Sequence, residues 1–253
     1  MSRRTQQIGF SQRVRLEWLE HTANLVLAGN DAAVVNDSLQ ELLKDRVSVG
    51  GQAERGNREK IITILMKVWL NVPAELEPLR DTGLELIRRL PPADHLPVHW
   101  GMVMAVYPFW AAVATQAGRL VRLQGTAAAA QVQRRVREQY GERETVSRAA
   151  RRILRTFIDW EVLRETDSKG VYAAGAVTLI DDPELIVWLV EAALYARGGN
   201  PAPLKDLTDG PSLFPFRLKS TRAANLVAAS KTLEVLRHGM DEELVMLRKP
   251  ADG

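Results

Sequence analysis

The chain has 253 residues, 46% of them hydrophobic, which is enough for a sizeable core and excludes a disordered tail. It contains no cysteine, so disulfides, zinc fingers and cysteine nucleophiles are excluded, an absence that suits a reducing cytoplasm. The net charge is only +3, so strong basicity anywhere in the chain has to be local.

The N-terminus shows no secretory signal, because Ser2, Arg3, Arg4, Thr5, Gln6 and Gln7 are followed by no sustained apolar run. Residues 12–27 place Val14, Trp18 and Leu25 at helical intervals ahead of Gly29, and 34–43 form a second predicted helix. A third is predicted at 57–70, with Ile61, Ile62, Leu65, Val68 and Trp69 on one side and Arg58, Lys60 and Lys67 on the others. The connector Ser48, Val49, Gly50, Gly51, Gln52, Ala53, Glu54, Arg55, Gly56 invites comparison with a phosphate loop, but lacks the Lys-Ser/Thr ending and a preceding strand. It reads as a loop whose Arg55 and Arg58 are placed to add a backbone-phosphate contact. Pro73, Pro78, Pro91, Pro92 and Pro97 then leave room for one helix at 79–90.

Residues 95–118 contain no Asp, Glu, Lys or Arg, a stretch long enough to span a bilayer. His95, His99, Thr115, Gln116 and a central Pro108 argue instead for buried helices, at 100–107 and 111–123. His95 and His99 are one helical turn apart beside Asp94, a spacing known from metal sites. Pro97 disfavours the continuous helix that would align the two rings, and no third ligand is near, so no metal or other cofactor is expected. There is no nucleophile elbow and no dinucleotide glycine fingerprint, and no enzymatic activity is expected.

The next stretch carries the strongest signal. Between residues 119 and 155 lie Arg119, Arg122, Arg134, Arg135, Arg137, Arg143, Arg148, Arg151, Arg152 and Arg155 against Glu138, Glu142 and Glu144, a local charge of +7 that leaves −4 for the remainder. Such a patch is the footprint of a polyanion partner. A helix capped by Thr126 has an apolar stripe of Ala129, Val132, Val136 and Tyr140 and ends at Gly141. After a turn-sized link, a second helix capped by Thr145 puts Val146, Ala150, Ile153 and Phe157 on one stripe and Arg148, Arg151, Arg152 and Arg155 opposite, at about 100° per residue. Asp167, Ser168, Lys169 and Gly170 are turn chemistry between two short strands, so helix, turn, helix and hairpin follow in the order of a winged helix. An arginine-rich amphipathic helix also occurs as a plain solvated face, and helix-turn-helix corners also serve protein contacts.

The C-terminal third echoes this plan with fewer arginines: a helix at 183–196, short helices at 204–207 and 221–230, and a hairpin of 233–236 with 244–247 turning through His238, Gly239, Met240 and Asp241. Arg217, Lys219, Arg222 and Lys231 are its local basic group. Residues up to Gly175 are expected to hold nucleic acid without this unit.

Three strings, taken in order, resemble the BrxA family of bacterial BREX phage-resistance systems. They are Arg58, Glu59, Lys60, Ile61, Ile62; then Val98, His99, Trp100, Gly101, Met102 running to Tyr107, Pro108, Phe109; then Asp159, Trp160, Glu161, Val162, Leu163 at the end of the arginine-rich stretch. The resemblance covers residues 1–175. It implies a small helical protein related to the NusB RNA-binding fold, associated with nucleic acid and acting as a non-enzymatic part of a defence island. The C-terminal unit falls outside it.

The expected protein is mainly α: an all-helical N-terminal bundle at 1–95, a basic winged-helix unit at 96–176 and a C-terminal unit of winged-helix-like plan at 177–253. Its expected role is to bind nucleic acid in the cytoplasm, double-stranded DNA ahead of RNA. The residues expected to carry this are Arg134, Arg135, Arg137, Arg143, Arg148, Arg151, Arg152, Arg155 and Lys169. The C-terminal unit is expected to hold a second copy of the chain or other defence-system proteins, and no membrane partner is expected. The competing reading is a structural adaptor whose winged-helix units join proteins of an assembly.

Overall fold

The computed structural model describes residues 7–47, 56–238 and 242–248; the glycine-rich connector at 48–55 and the hairpin turn at 239–241 lie outside the described residues. Helices dominate what is described. α1 (Leu16–Leu27), α2 (Ala32–Leu43), α3 (Asn57–Trp69) and α4 (Glu77–Arg89) make up the first part. α2 starts where the Asp31 carboxylate accepts from the Ala33 and Val34 amides at 2.9 and 3.0 Å, satisfying donors that a first turn leaves free. α1 starts at Leu16 and not at residue 12, because the preceding residues run extended. Phe10, Gln12 and Val14 are buried while Arg13 and Arg15 are exposed, the two-residue alternation of an extended chain.

α5 (His95–Val106) takes Pro97 into its first turn, where a missing amide proton costs no helical bond. The expectation that Pro97 interrupts the helix is therefore corrected, and His95 and His99 stand on consecutive turns. Eleven of its twelve residues are buried, so α5 has no polar face and forms the centre of the fold. Both imidazoles turn toward Glu20 of α1. His99 Nε2 lies 2.8 Å and His95 Nδ1 3.0 Å from Glu20 Oε2, and His95 Nε2 lies 2.9 Å from the Leu90 carbonyl.

Burial lowers the His99 pKa and favours a neutral ring, whose proton its partner places on Nε2. Burial alone would raise the Glu20 carboxyl, but the hydrogen bonds of His99 and His95, and the charge these rings carry once acid protonates them, outweigh it and hold the group at about 2, against 4.5 when free. A carboxyl held below its unfolded value stabilises the fold above the ordinary carboxylate range and loses that contribution as it protonates. Thermal stability is therefore expected to fall as pH drops from 4.5 to about 2, and Glu20→Gln should flatten that limb. An unchanged limb in the variant would remove Glu20 as its source.

α6 (Pro108–Gln124) leaves α5 at 118° across Tyr107. Among the described residues no single helix is long and apolar enough to cross a membrane; only this bent pair reaches the length. Beyond α6 come β1 (Thr126–Ala128), α7 (Ala129–Tyr140), α8 (Glu144–Asp159), β2 (Leu163–Glu165) and β3 (Val171–Ala174). The strands form one antiparallel sheet of order β1-β3-β2, with Ala127 opposite Tyr172 and Arg164 opposite Ala173. Two expected caps are corrected. Thr126 is drawn into the ladder opposite Ala173, so α7 follows Ala128 with no side-chain cap. Thr145 lies inside α8, because the Arg143 amide bonds the Gly141 carbonyl at 2.9 Å and closes the turn earlier.

The remaining elements are β4 (Thr178–Ile180), α9 (Pro183–Ala196), β5 (Ala202–Pro203), α10 (Leu204–Thr208), β6 (Phe216–Leu218), α11 (Ala223–Ala229), β7 (Leu233–His238) and β8 (Glu242–Leu247). β5, β8 and β7 form a second antiparallel sheet whose order, first strand then last then middle, repeats that of β1, β3 and β2. Helix, strand, two helices and hairpin thus occur twice. The parallel pair β4 and β6 is an addition with no counterpart in the first copy.

The stretches 1–95, 96–176 and 177–253 share one continuous apolar core running from Phe10 to Val245. Trp188 of α9 is its main joint, with Nε1 donating to the Leu79 carbonyl at 2.8 Å and the ring lying against Gly83 and Gly101. A Cβ on Gly101 would stand 2.4 Å from that ring, so the glycine is what lets α5 and α9 approach.

Candidate nucleic-acid interface

α8 is seated by aromatic packing on its apolar side. Phe157 stacks on Trp100 with ring centres 4.9 Å apart, and Trp110 meets Phe157 edge-on at 4.7 Å. Val146, Ala150, Ile153 and Phe157 are fully buried, which confirms the stripe read from their spacing. The opposite side is divided. Arg148, Arg151 and Arg155 are exposed, whereas Arg152 is half-buried and its Nη1 donates to the Ser11 carbonyl.

That correction has a clear cause. The extended residues 10–15 lie along one flank of α8: the Val14 amide donates to Thr156 Oγ1 at 3.3 Å, Trp160 Nε1 donates to the Val14 carbonyl at 3.0 Å, and Arg13 pairs with Asp159. Arg152 falls under this segment. Its burial, reinforced by repulsion from Arg148, lowers its pKa, the behaviour of an anchoring group and not of a solvated one.

The other expected residues also separate. Arg135 is exposed and has no hydrogen-bond or ion-pair partner among the described residues. Arg134 lies 3.8 Å from Glu138 and Arg137, half-buried, 3.3 Å from Glu142; Arg143 Nη2 donates to the Tyr140 carbonyl at 3.3 Å. Arg148 is only 4.0 Å from Glu144, while Arg155 is held by Glu165 at 2.5 Å. Exposed pairs of this kind contribute little, so a phosphate can replace the carboxylate. Arg119 and Arg122 leave the patch altogether. Arg122 donates to the Asp209 carbonyl at 2.5 Å, and Arg119 lines a separate cleft against the C-terminal unit. Arg58 donates to the Lys44 carbonyl at 2.9 Å, which takes it out of the phosphate-contact role.

The hairpin stands beside α8. The Thr166 hydroxyl donates to the Val171 carbonyl at 3.0 Å and closes the turn, and Gly170 supplies its left-handed residue at φ 79°. Between hairpin and helix lies a cleft of about 450 Å³ whose walls carry Arg151, Arg155 and Lys169 together with Glu165 and Asp167. Arg151 and Lys169 have no hydrogen-bond or ion-pair partner among the described residues. Arg13 and Arg15 are the basic residues that sequence reasoning missed, although the alternation of residues 10–15 carried the signal.

Among the described residues no group of three or more His, Asp or Glu is arranged to hold a metal ion. No protein-family model matches the chain, and no curated protein or solved structure matches it.

Proposed function

We propose that the chain is a double-stranded DNA-binding protein in which residues 108–174 act as a winged helix, α8 entering the major groove and the β2–β3 hairpin lying against the backbone. The observation that carries this reading is the convergence of Arg151, Arg155 and Lys169 on one cleft beside the exposed Arg148 of the same helix, with Arg151 and Lys169 uncommitted among the described residues. DNA is favoured over RNA because the A-form major groove is too deep and narrow to admit a helix. On this reading the likeness to the BrxA family assigns the chain to a phage-defence assembly as a cytoplasmic, non-enzymatic component.

The C-terminal copy supports a different role for itself. α11, which stands where α8 stands in the first copy, reads Ala223, Ala224, Asn225, Leu226, Val227, Ala228, Ala229 and carries no charge. That face suits protein contact, with a second copy of the chain or another defence protein, and not phosphate.

Fluorescence anisotropy with a labelled duplex tests the DNA reading. Four cations displacing counterions should give a log–log salt slope of about −3.6. Salt-independent binding, or none at low salt, would overturn it. Lys169→Glu is expected to weaken binding to all duplex sequences alike and to flatten the slope by about 1, since the hairpin tip contacts backbone and not bases. A sequence-dependent loss would instead place the tip at base edges.

A further inference from the structure

A second cleft, of about 460 Å³, lies between α6 and the C-terminal unit and shares no lining residue with the cleft beside α8. Its floor is small and apolar, made of Ala111 and Ala112 from α6 and Ala193 and Ala196 from α9. Two guanidiniums line it, Arg119 on α6 and Arg197 just past α9. Both are exposed, and among the described residues neither side chain has a hydrogen-bond or ion-pair partner. Two arginines facing one cavity without a carboxylate on either call for an anion.

The rest of the lining narrows the class. Gln116 and Gln139 bring carboxamides, which offer both donor and acceptor to the edge of a heterocycle, and Asn200, whose Nδ2 donates to the Arg197 carbonyl at 3.0 Å, adds an acceptor. A floor of methyl groups accepts a flat ring without steric selection. Asp206, the one carboxylate in the lining, is suited to accept from a sugar hydroxyl. Phosphate, ring and hydroxyl together describe a nucleotide, and the volume falls in the usual range of roughly 300–1,000 Å³ for small-molecule sites.

We propose that this cleft binds a nucleoside phosphate, with Arg119 and Arg197 on the phosphate and the alanine floor beneath the base. Arg119 belongs to the first helix of one copy and Arg197 to the end of the first helix of the other, so the occupant bridges the two. The proposal does not depend on duplex binding.

Calorimetry on the full chain with AMP, adenosine and inorganic phosphate tests it. AMP is expected to bind about 10-fold or more tighter than adenosine, because each charge-assisted pair is worth a step of that size. The double change Arg119→Ala and Arg197→Ala should lower AMP affinity by at least about 30-fold while leaving thermal unfolding and duplex affinity in place. Ala112→Leu, which fills the floor and keeps both arginines, should also abolish AMP binding but spare phosphate. Absence of AMP binding, equal affinities for AMP and adenosine, or unchanged AMP affinity in the double variant would each overturn the proposal. A loss of duplex affinity in that variant would do so too, by assigning both arginines to the path of a nucleic-acid strand.

Discussion

Trp188→Ala is expected to destabilise the protein by about 3–5 kcal/mol, the range for emptying a buried indole site, and to lower the urea midpoint by roughly 1–2 M. The side chain is 1% exposed, fills the space left by two glycines on two different helices, and donates to the Leu79 carbonyl. Removing it leaves a cavity where α4, α5 and α9 meet and takes away the second hydrogen bond to the Leu79 carbonyl, which the helix itself still pairs. Equilibrium unfolding measures the effect, and a loss below about 1 kcal/mol would mean that α9 contributes little to the joint. The same burial bears on the expectation that residues up to Gly175 hold nucleic acid without the C-terminal unit. Ten of the fourteen α9 residues are buried, so a chain cut at Gly175 uncovers the faces of α4 and α5 that α9 covers.

The paired change Arg148→Ala and Arg151→Ala is expected to weaken duplex binding about 100-fold at about 100 mM salt, since each guanidinium is worth roughly 1–3 kcal/mol at a groove. Both side chains are exposed, and only the loose 4.0 Å approach of Arg148 to Glu144 is lost, so thermal unfolding should stay in place. Arg152→Ala should behave in the opposite way. It removes the bond to the Ser11 carbonyl and loosens the segment along α8, lowering the melting temperature while duplex affinity falls little. Full affinity in a folded Arg148 and Arg151 double variant would move the contact surface off α8.

α8 was legible in the sequence because its two periodicities agree: the apolar stripe ending at Phe157 and the arginines on the other side are both local patterns. The same holds for the hairpin, whose Lys169-Gly170 turn is encoded where it occurs. What was not legible depends on partners far along the chain. β1 is three residues of Thr and Ala with no strand signature of its own, and it exists because Tyr172 and its neighbours come back to pair with it. The fate of Arg152 is decided by Ser11, 141 residues away, and that of Arg122 by Asp209. Charge counting treats all ten arginines of the stretch alike, and only the packing of other elements separates anchors from contacts. The alternation at residues 10–15 was readable, but Trp18 and Leu25 continue a helical pattern across it, and the longer pattern masked the shorter.

The segment along α8 also bears on how the chain reaches its native state. The Val14 carbonyl receives its hydrogen bond from Trp160, 146 residues later. At ribosomal rates of about 5–20 residues per second, Val14 emerges roughly seven to thirty seconds before Trp160 is synthesised, and Phe10 roughly five to twenty seconds before Tyr107 and Trp110. During that interval their apolar side chains have no native surface to cover them, and the closing of so long a loop belongs among the slow steps of folding. Nascent chains therefore carry this β-like segment uncovered until α8 is complete, and the helix proposed to read DNA receives its last supporting flank from a segment made 146 residues earlier.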